Sequence, residues 1–498
     1  MKELTHYING QRVSGSSGRF GDVFNPATGE VQARVPLASK EEFDAAVEIA
    51  AKVQPEWGAV NPQRRARVMM KFVDLLHRDM DKLAEVLSSE HGKTFPDAKG
   101  DVQRGLEVAE YCIGAPQMLK GEFTDSAGPG IDMYSMKQPL GVCGGITPFN
   151  FPAMIPMWMF APSVVCGNAF ILKPSERDPS VPILLAELME EAGLPKGVLQ
   201  VINGDKVSVD AMLTNPTIQS IGFVGSTPIA EYIYGTGCAN GKRVQCFGGA
   251  KNHMIVMPDA DMDLVTDSIM GSVFGSAGER CMAISVVVPV GKETGDTIRE
   301  KVIPKIENLK IGPGNDPSSE MGPLVTKEHL NKVTKYIDEG VKEGAELVVD
   351  GRNFNLQGYE NGYFVGGSFF DNVSTDMSIY KEEIFGPVMS MVRSKSLTEA
   401  LEMVNRHEFG NGTAIFTSDG GVARKFSNEC QIGMVGVNVP IPVPVAYHSF
   451  GGWKRSVFGG HGVYGMEAVR FYTRLKTVTG RWPIGKSLGA QYTFPSNN

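Results

Sequence analysis

The chain of 498 residues is longer than a single hydrophobic core usually organises, so two or three domains are expected. Its 42% hydrophobic and 21% charged residues are ordinary for a globular protein and exclude a disordered or fibrous chain. The formal net charge of -8 argues against nucleic acid as a partner, because such a partner requires clustered Lys and Arg.

Neither a membrane span nor a secretory leader is visible in the sequence. No run of about eighteen apolar residues occurs, and residues 1–18 lack the apolar centre of a signal peptide. We therefore expect a cytoplasmic protein. The seven cysteines stand singly without a C-x-x-C pair, and the eight histidines lie far apart, so neither a disulfide framework nor a metal site is expected.

Strand-like and helix-like segments alternate from residue 141 onward. The first series has predicted strands at 141–146, 169–175, 198–204 and 218–225 and predicted helices at 153–168, 181–193, 207–215 and 227–237. The second series has predicted strands at 254–258 and 283–290 and predicted helices at 263–278 and 296–310. Such alternation is typical of a doubly wound parallel sheet with helices on both faces. We place the boundary between two α/β domains near the glycine-rich stretch 247–252.

Two segments fit neither series. One is "FTDSAGPGIDMYSMKQ" at 123–138, and the other is the β-prone "RFYTRLKTVTGRWP" at 470–483. An arm that pairs with a sheet edge of another subunit is one interpretation of the second segment. An ordinary edge strand is the alternative.

A phosphate-binding turn is predicted at the end of one strand. The fingerprint G-x-G-x-x-G is absent after the first strand of the series. Instead Gly225, Ser226 and Thr227 follow the strand 218–225 and begin a helix, whose backbone amides can receive a pyrophosphate. A plain helix N-cap is the alternative.

Lys173 and Glu176 follow another predicted strand, in "ILKPSE". Ligands of α/β sheets bind at the carboxyl ends of strands, so these side chains are candidates for holding the hydroxyls of an adenosine ribose. A carboxylate there repels a 2′-phosphate and favours NAD over NADP. A solvated pair of loop residues is the alternative.

Asn150 and Cys281 are the candidate reactive residues. Asn150 stands between aromatic residues and prolines in "TPFNFP", where a rigid amide suits an oxyanion hole. Cys281 follows small residues and Arg280 in "GSAGERCMAIS", an arrangement that admits a substrate and favours the thiolate. A structural turn asparagine and a buried inert thiol are the alternatives.

The motifs "TPFNFP", "LKPSE", "GFVGST", "GERCMA" and "EEIFGPV" occur in this order and resemble the aldehyde dehydrogenase superfamily. The resemblance extends over essentially the whole chain. It implies that Cys281 is the nucleophile and that Asn150 and the Cys281 backbone N–H form the oxyanion hole. It further implies that cofactor binding involves Phe149, Lys173, Glu176, Gly225, Ser226, Glu383 and Phe385.

The resemblance also implies a fold of three parts: an NAD-binding domain, a second α/β catalytic domain and a small β oligomerisation arm. We assign residues 1–122 and 142–250 to the first, 251–440 to the second, and 123–141 and 468–498 to the third.

The sequence departs from the family where most hydrolytic members carry a water-activating glutamate. The stretch reads "QCFGGAKNH", and alignment on Lys251 puts Phe247 at the position of the glutamate. Phenylalanine cannot accept a proton, so hydrolysis of a thioacyl enzyme is expected to be slow. Coenzyme A, whose thiol ionises far more readily than water, is the expected acceptor. A hydrolytic enzyme with another base is the alternative.

The stretches "GAKNH", "FNFPAMIPMWMFAPSVVCGN" and "GVNVPIPVP" resemble a CoA-acylating branch of the superfamily that oxidises and decarboxylates acid semialdehydes with NAD. That resemblance implies a homotetramer built from dimers. The substrate carboxylate requires a cation, for which Arg104 and Arg280 are the candidates. An ion pair on a helix surface is the alternative for Arg104. For His253 one interpretation is a residue that orients a loop or the CoA pocket, and the alternative is a packed polar residue without a role in binding.

A non-catalytic relative that serves as a scaffold is a third possibility for the chain. Retention of Cys281, Asn150 and Glu383 together argues against it, because a scaffold has no need of all three.

Overall fold

The computed structural model describes residues 2–482, and its regular elements follow the alternation seen in the sequence. The helices are α1 (Lys40–Ala59), α2 (Pro62–His91), α3 (Phe95–Cys112), α4 (Ala115–Met118), α5 (Met154–Val165), α6 (Ser180–Glu191), α7 (Lys206–Thr214), α8 (Thr227–Ala239), α9 (Met262–Ile269), α10 (Lys292–Glu307), α11 (Lys327–Lys342), α12 (Ser378–Lys381), α13 (Leu397–Arg406), α14 (Gly420–Glu429) and α15 (Gly465–Phe471).

The strands are mostly short, as expected for sheets covered by helices. They are β1 (Lys2–Glu3), β2 (His6–Ile8), β3 (Gln11–Val13), β4 (Phe20–Asn25), β5 (Glu30–Pro36), β6 (Phe123–Gly128), β7 (Ile131–Pro139), β8 (Val142–Ile146), β9 (Ala169–Lys173), β10 (Leu199–Val201), β11 (Ile218–Val224), β12 (Arg243–Phe247), β13 (Asn252–Val256), β14 (Ile284–Pro289), β15 (Glu346–Val349), β16 (Ser368–Asp371), β17 (Val388–Met391), β18 (Phe409–Gly410), β19 (Gly412–Phe416), β20 (Met434–Val437), β21 (Trp453–Lys454), β22 (Val457–Phe458) and β23 (Thr473–Arg481).

Two large sheets organise the described chain. The first has the order β22-β12-β11-β8-β9-β10-β2-β3, and its five central strands β12 to β10 run parallel. The second has the order β15-β16-β17-β14-β13-β19-β20 and is parallel except for β15. The predicted α/β fold with parallel sheets is therefore confirmed.

Both sheets are buried on two faces, which explains why their strands are apolar without alternation. Two separate hydrophobic clusters cover the first sheet, and one large cluster surrounds the second. Helix α5 is buried around its whole circumference, as its uniformly apolar sequence requires.

A third, smaller sheet has the order β23-β7-β6 and is antiparallel. Strand β23 pairs with β7 over nine residues, from Thr473 opposite Pro139 to Arg481 opposite Ile131. The two segments that fitted neither α/β series therefore pair with each other. Residues 483–498 of the predicted arm lie outside the described residues.

Residues 441–471 connect the second large sheet to the small sheet. Residues 441–467 belong to none of the predicted domains, and the arm is predicted to start at residue 468. Strand β22 instead extends the first sheet, and α15 packs its buried Val469 and Phe471 into the core of that sheet. The arm strand begins only at Thr473, because the apolar face of α15 is held in the core.

The predicted helix 263–278 is also interrupted. Helix α9 ends at Ile269 and passes into a π-helical turn (Met270–Phe274) and a 3-10 turn (Gly275–Gly278). Ser276, Ala277 and Gly278 have φ values of 53°, 50° and 72°, so three successive residues adopt the left-handed conformation. A Cβ on Gly278 would lie 2.2 Å from the Gly386 carbonyl oxygen, so this position requires glycine.

Asn168 joins the small sheet to the first large sheet. Its Oδ1 accepts hydrogen bonds from the backbone N–H groups of Leu140 (2.7 Å) and Gly141 (3.0 Å). Its Nδ2 donates to the carbonyls of Tyr472 (2.9 Å) and Ser163 (3.1 Å). The side chain is fully buried, and three of its four backbone partners belong to the buried residues Leu140, Ser163 and Tyr472.

We expect Asn168→Ala to destabilise the fold by about 3 kcal/mol, because buried backbone groups are left without partners. Asn240→Ala, which removes a single exposed hydrogen bond to Thr236, is the matched control and is expected to cost less than about 0.5 kcal/mol. Thermal and urea unfolding of both variants measures the difference. Equal midpoints for the two variants would contradict the structural role of Asn168.

Candidate active site

A cavity of about 720 Å³ lies where the two large sheets meet. The carboxyl ends of β8, β9 and β11 form one wall, and the loops that precede β14 and β17 form the other. The cavity is lined by nine of the residues that the sequence analysis singled out, namely Phe149, Asn150, Lys173, Glu176, Gly225, Ser226, Cys281, Glu383 and Phe385.

A second cavity, of about 400 Å³, reaches Cys281 from another direction. Arg104 and Arg280 both line it, together with the aromatic side chains of Phe151, Trp158 and Phe450. Cys281 belongs to the walls of both cavities. A ligand in the larger cavity therefore approaches Cys281 from the side of the first sheet. A smaller ligand in the second cavity approaches it from the side of the aromatic residues.

The backbone of Cys281 is fixed by two asparagine side chains from the second sheet. Asn252 Nδ2 donates to the Cys281 carbonyl at 2.9 Å, and Asn411 Nδ2 donates to the same oxygen at 3.0 Å. The N–H of Gly412 in turn donates to Asn252 Oδ1 at 3.0 Å. Strands β13 and β19 are neighbours, so the start of each strand holds the nucleophile in place.

The Cys281 thiol is protonated in this state. Burial is the main cause that raises its pKa to about 12, and the nearby Glu383 carboxylate adds to the effect. Arg280 lowers the pKa of the thiol, as predicted, but less than burial raises it, and its guanidinium is paired with Asp97 at 2.7 Å. Formation of the thiolate therefore requires a change in the surroundings, such as positive charge brought by a ligand.

Glu383 and Phe385 lie on the loop before β17, opposite the first sheet. Oε1 of the half-buried Glu383 accepts from the Ala250 N–H at 3.0 Å, and desolvation raises the pKa of this carboxyl. Phe385 adopts a left-handed φ of 62°, and His329 Nε2 lies 2.6 Å from its carbonyl oxygen. The Phe149 and Phe385 rings meet edge to face at 5.9 Å. These rings form an apolar wall of the first cavity.

The other end of the first cavity is polar. Lys173 Nζ donates to Glu176 Oε2 at 3.2 Å. Ser226 occupies the N-cap position of α8, but its hydroxyl makes no hydrogen bond to the first turn of that helix. Lys173, Glu176 and Ser226 together present a cation, a carboxylate and a helix N-terminus to a ligand.

Sequence reasoning missed further residues that line this cavity, among them Arg177, His329 and Lys332. The Arg177 guanidinium lies 5.3 Å from the Phe149 ring centroid and adds positive charge beside the predicted pair. Its position next to Glu176 was the available signal. His329 and Lys332 lie on α11, whose sequence carries no motif that points to the site.

The predicted substrate arginines are half-buried and already engaged. Arg104 donates to the carbonyls of Pro444 (2.9 Å) and Val443 (3.3 Å) and pairs with Glu107 at 2.8 Å. The ion pair that was the alternative interpretation of Arg104 therefore exists, with i,i+3 spacing. The carbonyl contacts nevertheless hold the guanidinium at the wall of the second cavity.

Phe247 ends β12 close to the nucleophile. It is 4% exposed, packs against Phe450 at 5.8 Å and lines a narrow crevice together with Cys281 and Asn411. The position that the family resemblance gives to a water-activating carboxylate therefore holds an apolar ring next to the thiol.

His253 and Cys246 are packed inside the protein. His253 Nε2 lies 3.1 Å from the Tyr380 hydroxyl and Nδ1 lies 2.9 Å from the Lys251 carbonyl oxygen. Burial lowers the pKa of His253 and raises that of Cys246, so both side chains are neutral. Of the two interpretations of His253, the structure favours the packed residue.

Residues 2–482 contain neither a candidate metal site nor a helix that could span a membrane. No group of His, Cys, Asp and Glu in this range has an arrangement that suits a metal ion. No helix in the same range has both the length and the hydropathy needed to cross a membrane.

The known proteins that resemble this chain carry names of aldehyde-oxidising enzymes. The sequence profile of the Aldehyde dehydrogenase family matches residues 13–478. A malonate-semialdehyde dehydrogenase of Pseudomonas aeruginosa is 56% identical over 497 residues. The alignment covers 100% of this chain and 100% of that relative. An acylating, mitochondrial methylmalonate-semialdehyde dehydrogenase of Arabidopsis thaliana is 46% identical over 479 residues, which is 96% of this chain and 79% of the relative.

Two solved structures superpose closely. One, from Sinorhizobium meliloti, is described as a methylmalonate-semialdehyde dehydrogenase complexed with NAD and shares 63% identity at a TM-score of 0.97. The other is a methylmalonate-semialdehyde dehydrogenase from Oceanimonas doudoroffii, with 52% identity and a TM-score of 0.96. Each match covers 97% of this chain and 99% of the other.

The raised pKa of Cys281 predicts its reactivity. Alkylation of the ligand-free protein by iodoacetamide should accelerate about tenfold per pH unit from pH 7 to 9, because only the thiolate reacts. Glu383→Gln removes the adjacent carboxylate, lowers the pKa of the thiol and should increase the rate several-fold at pH 8. Mass spectrometry of the Cys281 peptide measures the rate, with the exposed Cys238 as an internal reference. A plateau below pH 8 would show that the thiol is already ionised there.

Proposed function

Because the chain belongs to the aldehyde dehydrogenase family, we propose that it oxidises malonate semialdehyde and methylmalonate semialdehyde with NAD and transfers the shortened acyl group to CoA. The products are acetyl-CoA or propionyl-CoA, carbon dioxide and NADH. The observation that carries the proposal is the buried Phe247 beside Cys281, where a hydrolytic enzyme needs a base.

In the acylation step the Cys281 thiolate attacks the aldehyde carbon, and the carbonyl electron pair moves to oxygen. Asn150 and the Cys281 backbone N–H stabilise that oxyanion. When the carbonyl re-forms, the C–H bond breaks and its electron pair leaves as hydride. NAD, when bound, supplies the hydride acceptor. The result is a thioester between Cys281 and the acid.

The cofactor residues form a site of suitable size and chemistry. Lys173 and Glu176 would hold the adenosine ribose, and Gly225 and Ser226 would hold the pyrophosphate. Glu383 would hold the second ribose, Phe385 would contact the nicotinamide ring, and Phe149 beside it would belong to the same cofactor site. The Glu176 carboxylate disfavours a 2′-phosphate, which supports NAD over NADP.

Decarboxylation follows acylation. The thioester withdraws electrons from the neighbouring carbon, so the bond between that carbon and the carboxylate carbon breaks. Carbon dioxide leaves, and a proton from solvent then protonates the carbanion. Arg104 and Arg280 bind the carboxylate while it is present. The CoA thiolate then attacks the acyl carbon, and the bond to the Cys281 sulfur breaks. Water is a poor competitor, because Phe247 cannot accept its proton.

The domain assignments follow from these roles. Residues 1–122 and 142–250 bind NAD, residues 251–440 carry the nucleophile, and the three-stranded arm joins subunits. We expect a cytoplasmic homotetramer, a dimer of dimers. The arm carries exposed apolar side chains, including Phe123 and Leu475, which a partner subunit would cover.

We expect NADH formation from malonate semialdehyde to require CoA and to yield acetyl-CoA, because acyl release depends on a thiol. The measurement is NADH absorbance with and without CoA, together with mass spectrometry of the acyl product. Equal turnover without CoA, giving a free acid, would favour the hydrolytic alternative and reveal an unrecognised base. A malonyl-CoA product would contradict decarboxylation before acyl transfer.

We expect Arg104→Met to raise the KM for malonate semialdehyde by about tenfold or more, since a charged hydrogen bond to the substrate is lost. The KM for propanal, which has no carboxylate, should change less than about threefold. Arg67→Met, which alters an exposed arginine of α2, is the matched control. Steady-state kinetics with both aldehydes give the comparison, and equal changes for the two would remove Arg104 from carboxylate binding.

A further inference from the structure

A lysine with no role in the steps above lies buried behind the oxyanion residue. Lys93 is 1% exposed and occupies the short connection between α2 and α3. Gly92 ends α2 with a left-handed φ of 94°, and Ser88 Oγ donates to the Lys93 carbonyl at 2.7 Å. Phe95 N–H donates to the Gly314 carbonyl at 2.8 Å. The backbone on both sides of Lys93 is therefore fixed.

The Lys93 ammonium points at the segment that carries Asn150. Its Nζ donates to the Asn150 carbonyl oxygen at 2.6 Å and lies 4.2 Å from the centroid of the Phe151 ring. The carbonyl and the ring belong to consecutive residues, so one cation contacts the backbone of Asn150 and the side chain next to it.

Asp101 completes the arrangement from α3. Its Oδ2 lies 3.6 Å from Lys93 Nζ, and its Oδ1 accepts from the Met154 N–H at 2.7 Å. Helix α5 begins at Met154 and has no side-chain cap of its own, so Asp101 supplies one from another helix. The buried pair therefore holds both ends of residues 150–154.

We propose that Lys93 and Asp101 are positioning residues that hold the Asn150 backbone so that its side-chain amide stays aimed at the oxyanion. The inference rests on the proposed role of Asn150 in acylation. Preorganised donors stabilise developing charge because they do not reorganise during the reaction, and a loosened backbone removes that advantage. The pair supports the rate of acylation without touching the substrate.

The test uses p-nitrophenyl acetate, which acylates Cys281 without NAD, semialdehyde or CoA. The Cys281 sulfur bonds to the acetyl carbon, the bond to the aryl oxygen breaks, and p-nitrophenolate leaves with the electron pair. The thiol proton passes to solvent. The carbonyl oxygen bears negative charge during the attack, as in aldehyde oxidation, so the burst of p-nitrophenolate reports the oxyanion hole together with ionisation of the thiol, and iodoacetamide alkylation reports the ionisation separately.

The variants are Lys93→Met and the double change Lys93→Met with Asp101→Asn. The double change removes both charges together and keeps an acceptor for Met154, so it avoids an uncompensated buried carboxylate. We expect both to slow the acylation burst at least tenfold. Iodoacetamide alkylation of Cys281, which needs no oxyanion hole, should change less than about threefold.

The decisive comparison is made in the Asn150→Ala background, where the acylation burst is expected to fall about a hundredfold. If Lys93 acts through Asn150, Lys93→Met should have little further effect there, because the two changes are not additive. Equal losses in the two backgrounds would overturn the inference. If Asn150→Ala leaves the burst unchanged, the proposed role of Asn150 fails, and this result is distinct from a failure of Lys93→Met alone.

Lys242 provides the matched control. It is another buried lysine, and its Nζ donates to the backbone carbonyls of Ile218 at 2.8 Å and Asn215 at 2.5 Å. It is not among the residues that line the two cavities and the crevice around Cys281. Lys242→Met should lower the melting temperature and leave the burst unchanged. A loss of acylation equal to that of Lys93→Met would assign both effects to general destabilisation and overturn the positioning role.

Discussion

The site depends on the way in which the two parallel sheets oppose each other. The carboxyl ends of the first sheet point toward the amino ends of the second, where Asn252 and Asn411 both bind the Cys281 carbonyl. A nucleophile held from two strands cannot shift without breaking buried hydrogen bonds. The two cavities can therefore present ligands to one fixed sulfur.

Local patterns were sufficient to predict the regular part of the fold. The alternation of apolar strands and helices located β8 to β11 of the first sheet and β13 and β14 of the second, because strands buried on two faces are continuously apolar. The motif residues line two cavities that share Cys281. Strand ends such as that at Lys173 are visible in a sequence, and parallel packing then brings them together.

What sequence reasoning missed depends on contacts between distant parts of the chain. The interruption after Ile269 is set by the close approach of Gly278 to Gly386, which no periodicity reveals. The packing of α15 into the first sheet depends on an apolar face shared with residues far away in sequence. Lys93 carries no motif, and its contact with Asn150 exists only once α3 and α5 are packed side by side.

The protonated state of Cys281 has a consequence for survival of the protein under oxidising stress. Peroxides attack thiolates, and a thiol whose pKa is raised to about 12 presents almost none of that form at neutral pH. We therefore expect slow conversion of the resting thiol to sulfenic acid and to the irreversible products beyond it. Exposure to oxidants should matter most when a bound ligand favours the thiolate.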